Sequence, residues 1–300
     1  MPLPAGMREA FLDEQRTLAV IEIETPACRA RVALQGAQVL QMQPAGQPPL
    51  LWLSPGARFA AGKAVRGGIP LCFPWFGAHP HDHARPAHGF ARTAHWRLLS
   101  AAVEDGGVAA LAFELGDDEQ TRACWPHAFR AELAYRFSQS LSVTLRVSNT
   151  GPAPFAFGFA WHNYLPVSDI ARVRIEGLEG VSFADKLAPG KPPASEALPV
   201  RIAAETDRVY QGTAGRYRLL DEAAGLSLQL AAEGCSNAVL WNPWQEKAAR
   251  LGDVPDDAWR RFVCLECGNT GPADVRVPPG ATRVFTQTLA WQAQERPITP

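Results

Sequence analysis

The run "FRAELAYRFSQSLSVTLRVSN" occupies residues 129–149. Apolar side chains fall at 129, 131, 133, 135 and 137, stop at "SQS", and resume at 141, 143, 145 and 147. A period of two sends alternate side chains to opposite faces of a strand, whereas a helix repeats every 3.6 residues. Two such runs joined by a short polar turn predict an antiparallel pair.

The same pattern extends in both directions. Upstream, "WRLLSAAVE" and "VAALAFEL" flank "DGG" at 105–107, a hairpin signal. "TLAVIEIE" (17–24) reads as a strand, and "RVALQGAQVLQMQ" (31–43) as another with a glycine suited to a bulge. Downstream come "FAFGFAWHNYL", "RVRIEGL", "YRLLDE" with "LSLQLAA", "AVLWN", "RFVCLEC" and "TRVFTQTLAWQ". Helical signal is confined to short pieces such as "DDAWRR" (256–261), with Asp256 placed to cap the first turn. The 26 prolines and 25 glycines punctuate the strands, and no repeat or low-complexity linker divides them. "LAPGKPPASEALP" (187–199) is the most loop-like segment and is too short to separate two domains. The expected fold is all-β: one large antiparallel β-sandwich over residues 1–300, with its core at about 17–292.

Composition narrows the function classes. With 47% hydrophobic residues the chain can bury a sizeable core, and a net charge of −1 with dispersed signs leaves no basic face for nucleic acid or a membrane surface. The N-terminus lacks the basic flank and apolar stretch of a signal peptide, and no window is long and apolar enough for a membrane helix. Cysteines at 28, 72, 124, 235, 264 and 267 show no framework spacing, so free thiols in a reducing compartment, the cytoplasm, are expected. No long apolar surface helix or exposed strand stands out, so the expected state is a monomer.

Polar residues in apolar company mark the candidate site. "RFVCLECGN" (261–269) contains C-x-x-C, but in a strand residues three apart point in opposite directions, so Cys264 and Cys267 could not chelate one metal. The same alternation puts Phe262, Cys264 and Glu266 on one face. A shielded carboxylate there needs a partner or an elevated pKa. In "FAFGFAWHNYLPVSD" (155–169), His162 closes a file of Ala156, Gly158 and Ala160, read as the floor of a pocket. "VRGGIPLCFPWFG" (65–77) presents Arg66 beside a glycine pair, where a guanidinium suits a carboxylate or phosphate. "HGFAR" adds His88 and Arg92, "AETDRVYQG" adds Asp207, and "LWNPW" adds tryptophans suited to a sugar's C–H faces. His79, His81, His83 and His88 in "HPHDHARPAH" form the densest metal candidate. No carboxylate follows the H-x-H pair at ligand spacing, which leaves a solvated loop as the default.

In chain order, "RGGIPLCFPWFG", "HGFAR", "WHNYLPVSDI", "TDRVY", "LWNPW" followed by "KA", and "FVCLE" resemble the hexose-6-phosphate mutarotases. These are the glucose-6-phosphate 1-epimerase branch of the aldose 1-epimerase superfamily, and the resemblance runs from about residue 17 to 290. It implies a galactose-mutarotase-like supersandwich, no metal or organic cofactor, and interconversion of the α and β anomers of a small-molecule sugar phosphate. By motif it implies His162 as general acid, Glu266 as general base, and Arg66, His88, Arg92 and Asp207 as substrate-binding groups. Asn163 stands where threonine is frequent, "ECGN" replaces a more usual proline or alanine after the glutamate, and loop 78–87 is its own variant. Ring opening takes a proton from the C1 hydroxyl and gives one to the ring oxygen, so acid and base are expected to face each other across the sugar. Rival readings are an epimerase of unphosphorylated aldoses, a non-catalytic sugar-binding protein, and a cupin-like metalloenzyme built on His79, His81 and His83.

Overall fold

The structure is a computed structural model that describes residues 2–255, 257–271 and 275–292. Two large sheets carry the fold. The eight-stranded sheet runs Val173–Glu176, Arg216–Asp221, Leu226–Glu233, Thr282–Gln292, Ser140–Asn149, Phe129–Phe137, Ala109–Gly116, Arg97–Val103. The seven-stranded sheet runs Phe183–Asp185, Thr206–Gln211, Asn237–Asn242, Phe262–Asn269, Phe159–Trp161, Leu71–Cys72, with Tyr164–Pro166 also paired to Phe262–Asn269. A four-stranded sheet from the N-terminal 44 residues and a two-stranded ribbon, Phe155–Phe157 with Val275–Val277, complete the described strands. The ladders between these strands are antiparallel, as the alternation at 129–149 requires.

The sequence explains why the two large sheets stack. Phe129, Ala131, Leu133, Tyr135 and Phe137 are all buried, while Arg130 and Arg136 on the other face are exposed. Thr282–Gln292 sends Phe285, Gln287 and Leu289 inward. Phe285 meets Phe159 of the seven-stranded sheet with ring centroids 4.4 Å apart. Gln287 lies among these apolar groups because it pairs reciprocally with Asn163. Its Nε2 donates to Asn163 Oδ1 at 2.9 Å, and Asn163 Nδ2 donates back to its Oε1 at 3.0 Å. Asn163 Nδ2 also donates to the Leu265 carbonyl at 3.0 Å. A buried amide pair satisfied in this way avoids the roughly 1–3 kcal/mol penalty of an unpaired polar group. It also pins the backbone beside His162 to both sheets.

Three local readings change. Residues 31–43 form two strands, Cys28–Ala33 and Val39–Pro44, because Gly36 adopts φ +74° and turns the chain instead of bulging it. "FAFGFAWHNYL" breaks into Phe155–Phe157, Phe159–Trp161 and Tyr164–Pro166. The first break is at Gly158, where an added Cβ would lie 2.6 Å from the Gly271 carbonyl oxygen. The helical reading of 256–261 begins at Asp256, which lies outside the described residues; a 3-10 turn spans Ala258–Arg261. Two short α-helices, Glu119–Cys124 and Trp244–Ala248, were not expected from the sequence. The first is capped by Asp118, whose side chain accepts from the Thr121 N–H.

Candidate active site

Phe262–Asn269 lies inside the seven-stranded sheet and is buried along its whole length. Its register sets the site. On one side Glu266 lies opposite Val239 and Cys264 opposite Trp241; one strand further out, Trp241 lies opposite Asp207. On the other side Cys267 lies opposite Trp161 and Cys264 opposite Tyr164. That register brackets His162 directly across from Glu266, and imidazole Nε2 stands 3.4 Å from Oε1. Residues 104 apart in the chain are thus cross-strand neighbours, the closest side-chain relation a sheet offers.

The cysteines diverge as strand alternation demands. Cys264 shares the Glu266 face, whereas Cys267 alternates to the face that packs on the eight-stranded sheet. Burial raises both thiols well above the ordinary cysteine value, so neither is poised as a thiolate.

In front of the Glu266 face is a cavity of about 340 Å³ whose lining includes Arg66, His88, Arg92, His162, Asp207 and Glu266. All six residues singled out in the sequence therefore meet in one place. Tyr164, Trp241, Phe76, Lys186 and Lys247 line it as well. Of these, the tryptophan-bearing "LWNPW" run was legible as a sugar platform. Lys247 is the lysine of the "KA" that follows "LWNPW", whereas Lys186 carried no signal beyond being a lysine near a turn. The file of small residues does not form an open floor: Ala160 is fully buried, and Gly158 is needed for the backbone contact described above. A larger groove of about 800 Å³ runs along the N-terminal sheet, away from these residues. Its charges are already matched, Glu22 with Arg31 at 2.7 Å and with Arg8 at 2.5 Å.

Arg66 is positioned by the turn that follows it. Gly68 has φ +65°, and an added Cβ there would lie 2.1 Å from the Val39 carbonyl oxygen, so only glycine lets this segment pass. Arg66 Nε donates to both carboxylate oxygens of Asp253 at 3.2 Å, and Nη1 donates to the Tyr164 hydroxyl at 3.1 Å. Lys247 is likewise paired, with Glu205 at 2.8 Å. Arg92 and Lys186 have no carboxylate partner among the described residues. Arg92 Nη2 donates to the Ala87 carbonyl at 2.9 Å, and Lys186 Nζ sits 4.5 Å above the Phe76 ring. Two of the four cations around the cavity therefore make no direct ion pair among the described residues.

Burial dominates the titrating groups. It raises the Glu266 carboxyl well above the usual range, with Asp207 adding to the shift and Lys186 and Arg92 opposing it. It lowers His162 well below the ordinary imidazole value, helped by His88, Arg92 and Arg66. Asp207 is raised by burial, and Lys186 and Lys247 oppose the shift. His88 is pushed down to about 3 by burial, then by Arg92, Lys186 and Arg66. It is held in a left-handed conformation, φ +66°, with Nδ1 accepting from the Gly77 N–H at 3.3 Å. A non-glycine residue in that region stores strain, a common mark of functional sites.

Because His88 is neutral when folded and takes up a proton near 6.5 when unfolded, the unfolded state binds more protons between about pH 6.5 and 3. Stability should therefore fall as pH drops through that window. His88→Gln should flatten the slope in thermal melts taken across it, and an unchanged slope would show that His88 does not contribute.

His79, His81 and His83 do not line the cavity. His79 Nδ1 accepts from the backbone N–H groups of His81 and Asp82 at 3.2 and 3.0 Å, closing a local turn. The H-x-H run is thus turn chemistry, and among the described residues no group of three or more His, Cys, Asp or Glu side chains is gathered to hold a metal. No helix among these residues is long and apolar enough to cross a membrane.

Comparison with known proteins places the chain in a family. The aldose 1-epimerase family profile matches residues 19–290. An Escherichia coli protein named as a candidate glucose-6-phosphate 1-epimerase is 37% identical over 255 residues, 85% of this chain and 83% of its own. A Cenchrus ciliaris protein with the same name is 34% identical, covering 92% of this chain and 80% of its own. The crystal structure of a candidate mutarotase from Salmonella typhimurium superposes with a TM-score of 0.89 at 31% identity, covering 98% of this chain and 96% of that one. The fold is that of the galactose mutarotase-like proteins, and the chain belongs to the aldose 1-epimerase family.

Proposed function

We propose that this protein is a hexose-6-phosphate 1-epimerase that interconverts the α and β anomers of glucose 6-phosphate. The observation that carries the reading is the buried cross-strand contact of His162 with Glu266 in a cavity that also holds two unmatched cations. The names borne by the relatives at 34–37% identity point the same way.

The chemistry follows from the geometry. The C1 hydroxyl and the ring oxygen are bonded to one carbon, so a base for the first and an acid for the second must sit side by side. The expectation that they face each other across the sugar is therefore replaced by adjacency, and a 3.4 Å separation suits it. Burial favours neutral partners, a protonated carboxyl and a neutral imidazole. The pair then holds one mobile proton beyond the neutral imidazole's own. Moving it to His162 arms an imidazolium beside a carboxylate, and a phosphate dianion brought into the cavity lowers the cost of that cation. Glu266 then takes the C1 hydroxyl proton while His162 protonates the ring oxygen. The C1–O5 bond breaks, the aldehyde rotates about C1–C2, and reversal of the two transfers closes the other anomer. Each transfer contributes about 10²–10⁴-fold.

Trp241 offers an apolar wall to the sugar, and Asp207, two strands from Glu266 on the same face, serves a hydroxyl. Arg92 and Lys186 supply the unpaired charge for a phosphate. Arg66, whose charge Asp253 matches, retains Nη2 for a further bond. The test is catalysed anomer exchange of glucose 6-phosphate measured by magnetisation-transfer NMR against free glucose. Strong acceleration of the phosphate alone is expected, and equal turnover of both would assign the protein to unphosphorylated aldoses instead.

A further inference from the structure

A catalytic imidazole is usually oriented by a hydrogen bond to its second nitrogen, which fixes both its tautomer and its plane. His162 lacks that anchor: Nδ1 is buried and has no hydrogen-bond partner among the described residues. The ring torsion of histidine is broad, so something else must keep Nε2 beside Glu266.

The nearest parallel surface is Tyr164. Its ring lies 4.6 Å from the imidazole with an interplanar angle of 9°, whereas His88 and Trp241 meet it only edge-on at 6.1 and 6.0 Å. Tyr164 is itself immobilised on every side. Its main-chain N–H donates to the Gly68 carbonyl at 3.0 Å, and its carbonyl accepts from the Trp52 N–H at 2.9 Å. Its ring also stacks on Trp52, with centroids 5.9 Å apart, and Trp52 stacks on Phe262 at 4.1 Å. The phenol oxygen accepts from Arg66 Nη1, and Asp253 holds the other edge of that guanidinium. Asp253 is tied down through its carbonyl, which accepts from Ser54 Oγ at 2.6 Å.

We propose that Tyr164 is a positioning residue that confines the His162 imidazole by face-to-face stacking, and that Arg66 and Asp253 hold the Tyr164 ring in place. The proposal rests on the acid–base reading of His162 and Glu266. Its physical content is that a flat, fixed surface replaces the missing hydrogen bond to Nδ1. Rotation of the imidazole would carry Nε2 away from Glu266, and a displacement of about 1 Å at a reacting group can cost about 10²-fold in rate.

The experiment compares Tyr164→Leu, Tyr164→Met and Tyr164→Phe with His162→Ala as the control. Leu and Met fill the space without a flat ring, so either one that folds, judged by thermal melting, serves the test. The expected result is a loss of about 10²-fold in kcat for glucose 6-phosphate with KM changed less than about threefold. Tyr164→Phe keeps the stack and should recover most of the loss. The His162 ring ¹⁵N signals, sharp and tautomerically uniform in the wild type, should become averaged in the Leu or Met variant and stay sharp in Phe. A folded Leu or Met variant with near-wild-type kcat, or one that raises KM alone, overturns the proposal. If His162→Ala itself stays active, the acid–base reading fails instead, and the two failures are told apart by that control.

Discussion

Glu266→Gln is expected to remove about 10²–10⁴-fold of the acceleration of glucose 6-phosphate anomer exchange while the protein melts at the wild-type temperature or above. The rate and the stability predictions have one cause. Glu266 is fully buried and its carboxyl is held toward the protonated form, so the fold gains nothing from its charge. Glutamine keeps the shape and the neutrality, and loses only the ability to accept and return a proton. His162→Gln should produce a loss of similar size by removing the partner proton. Because the two residues pass protons to oxygens on one carbon, they act as a unit. The double variant should then be no slower than the worse single variant by more than a few-fold. Multiplicative losses in exchange NMR would mean that the residues serve separate steps, and near-wild-type rates in either single variant would sink the assignment.

The second large effect is expected at the cations. Arg92→Ala and Lys186→Met should each lower kcat/KM for glucose 6-phosphate by about 10–10²-fold, the worth of a charge-assisted hydrogen bond of roughly 1.5–3 kcal/mol. Turnover of free glucose, however slow, should not fall with it. These two residues are chosen because their charge is unmatched among the described residues, whereas Arg66 and Lys247 each face a carboxylate. The wild-type advantage of the phosphate substrate should also shrink as salt rises, since Lys186 is exposed and its field is screened over a Debye length. Loss of glucose turnover in step with glucose 6-phosphate would place these side chains in the sugar site and remove the argument for a phosphate.

The strands were legible because alternation is a local property. Ser140–Asn149 and Leu226–Glu233 are found where their apolar residues fall every second position, and Phe262–Asn269 where a nearly continuous short apolar run marks a strand buried on both faces. Misreadings occurred where a local pattern had a non-local cause. Gly36 turns the chain because the strands on either side of it pair with each other. Gly158 and Ala160 are small because backbone passes close to the first and the second is wholly covered, not because a ligand lies in front of them. In the densest histidine run His79 caps a turn, and of its four members only His88 lines the cavity, where it meets His162 from a separate motif.

The sequence by itself determined that the chain is built of antiparallel strands, that Cys264 and Cys267 diverge, and that Glu266 is a carboxylate on an apolar strand face. Each follows from the two-residue period of a single strand. The motifs further supplied the list of residues that meet in the cavity. Only the tertiary structure decided that His162 and Glu266 are cross-strand neighbours in contact, that Asp253 and Glu205 match the charges of Arg66 and Lys247, and that Tyr164 lies flat against the imidazole. Register between strands, and the pairing of charges carried by segments up to 187 residues apart, are set by how whole sheets pack and not by any window of the chain.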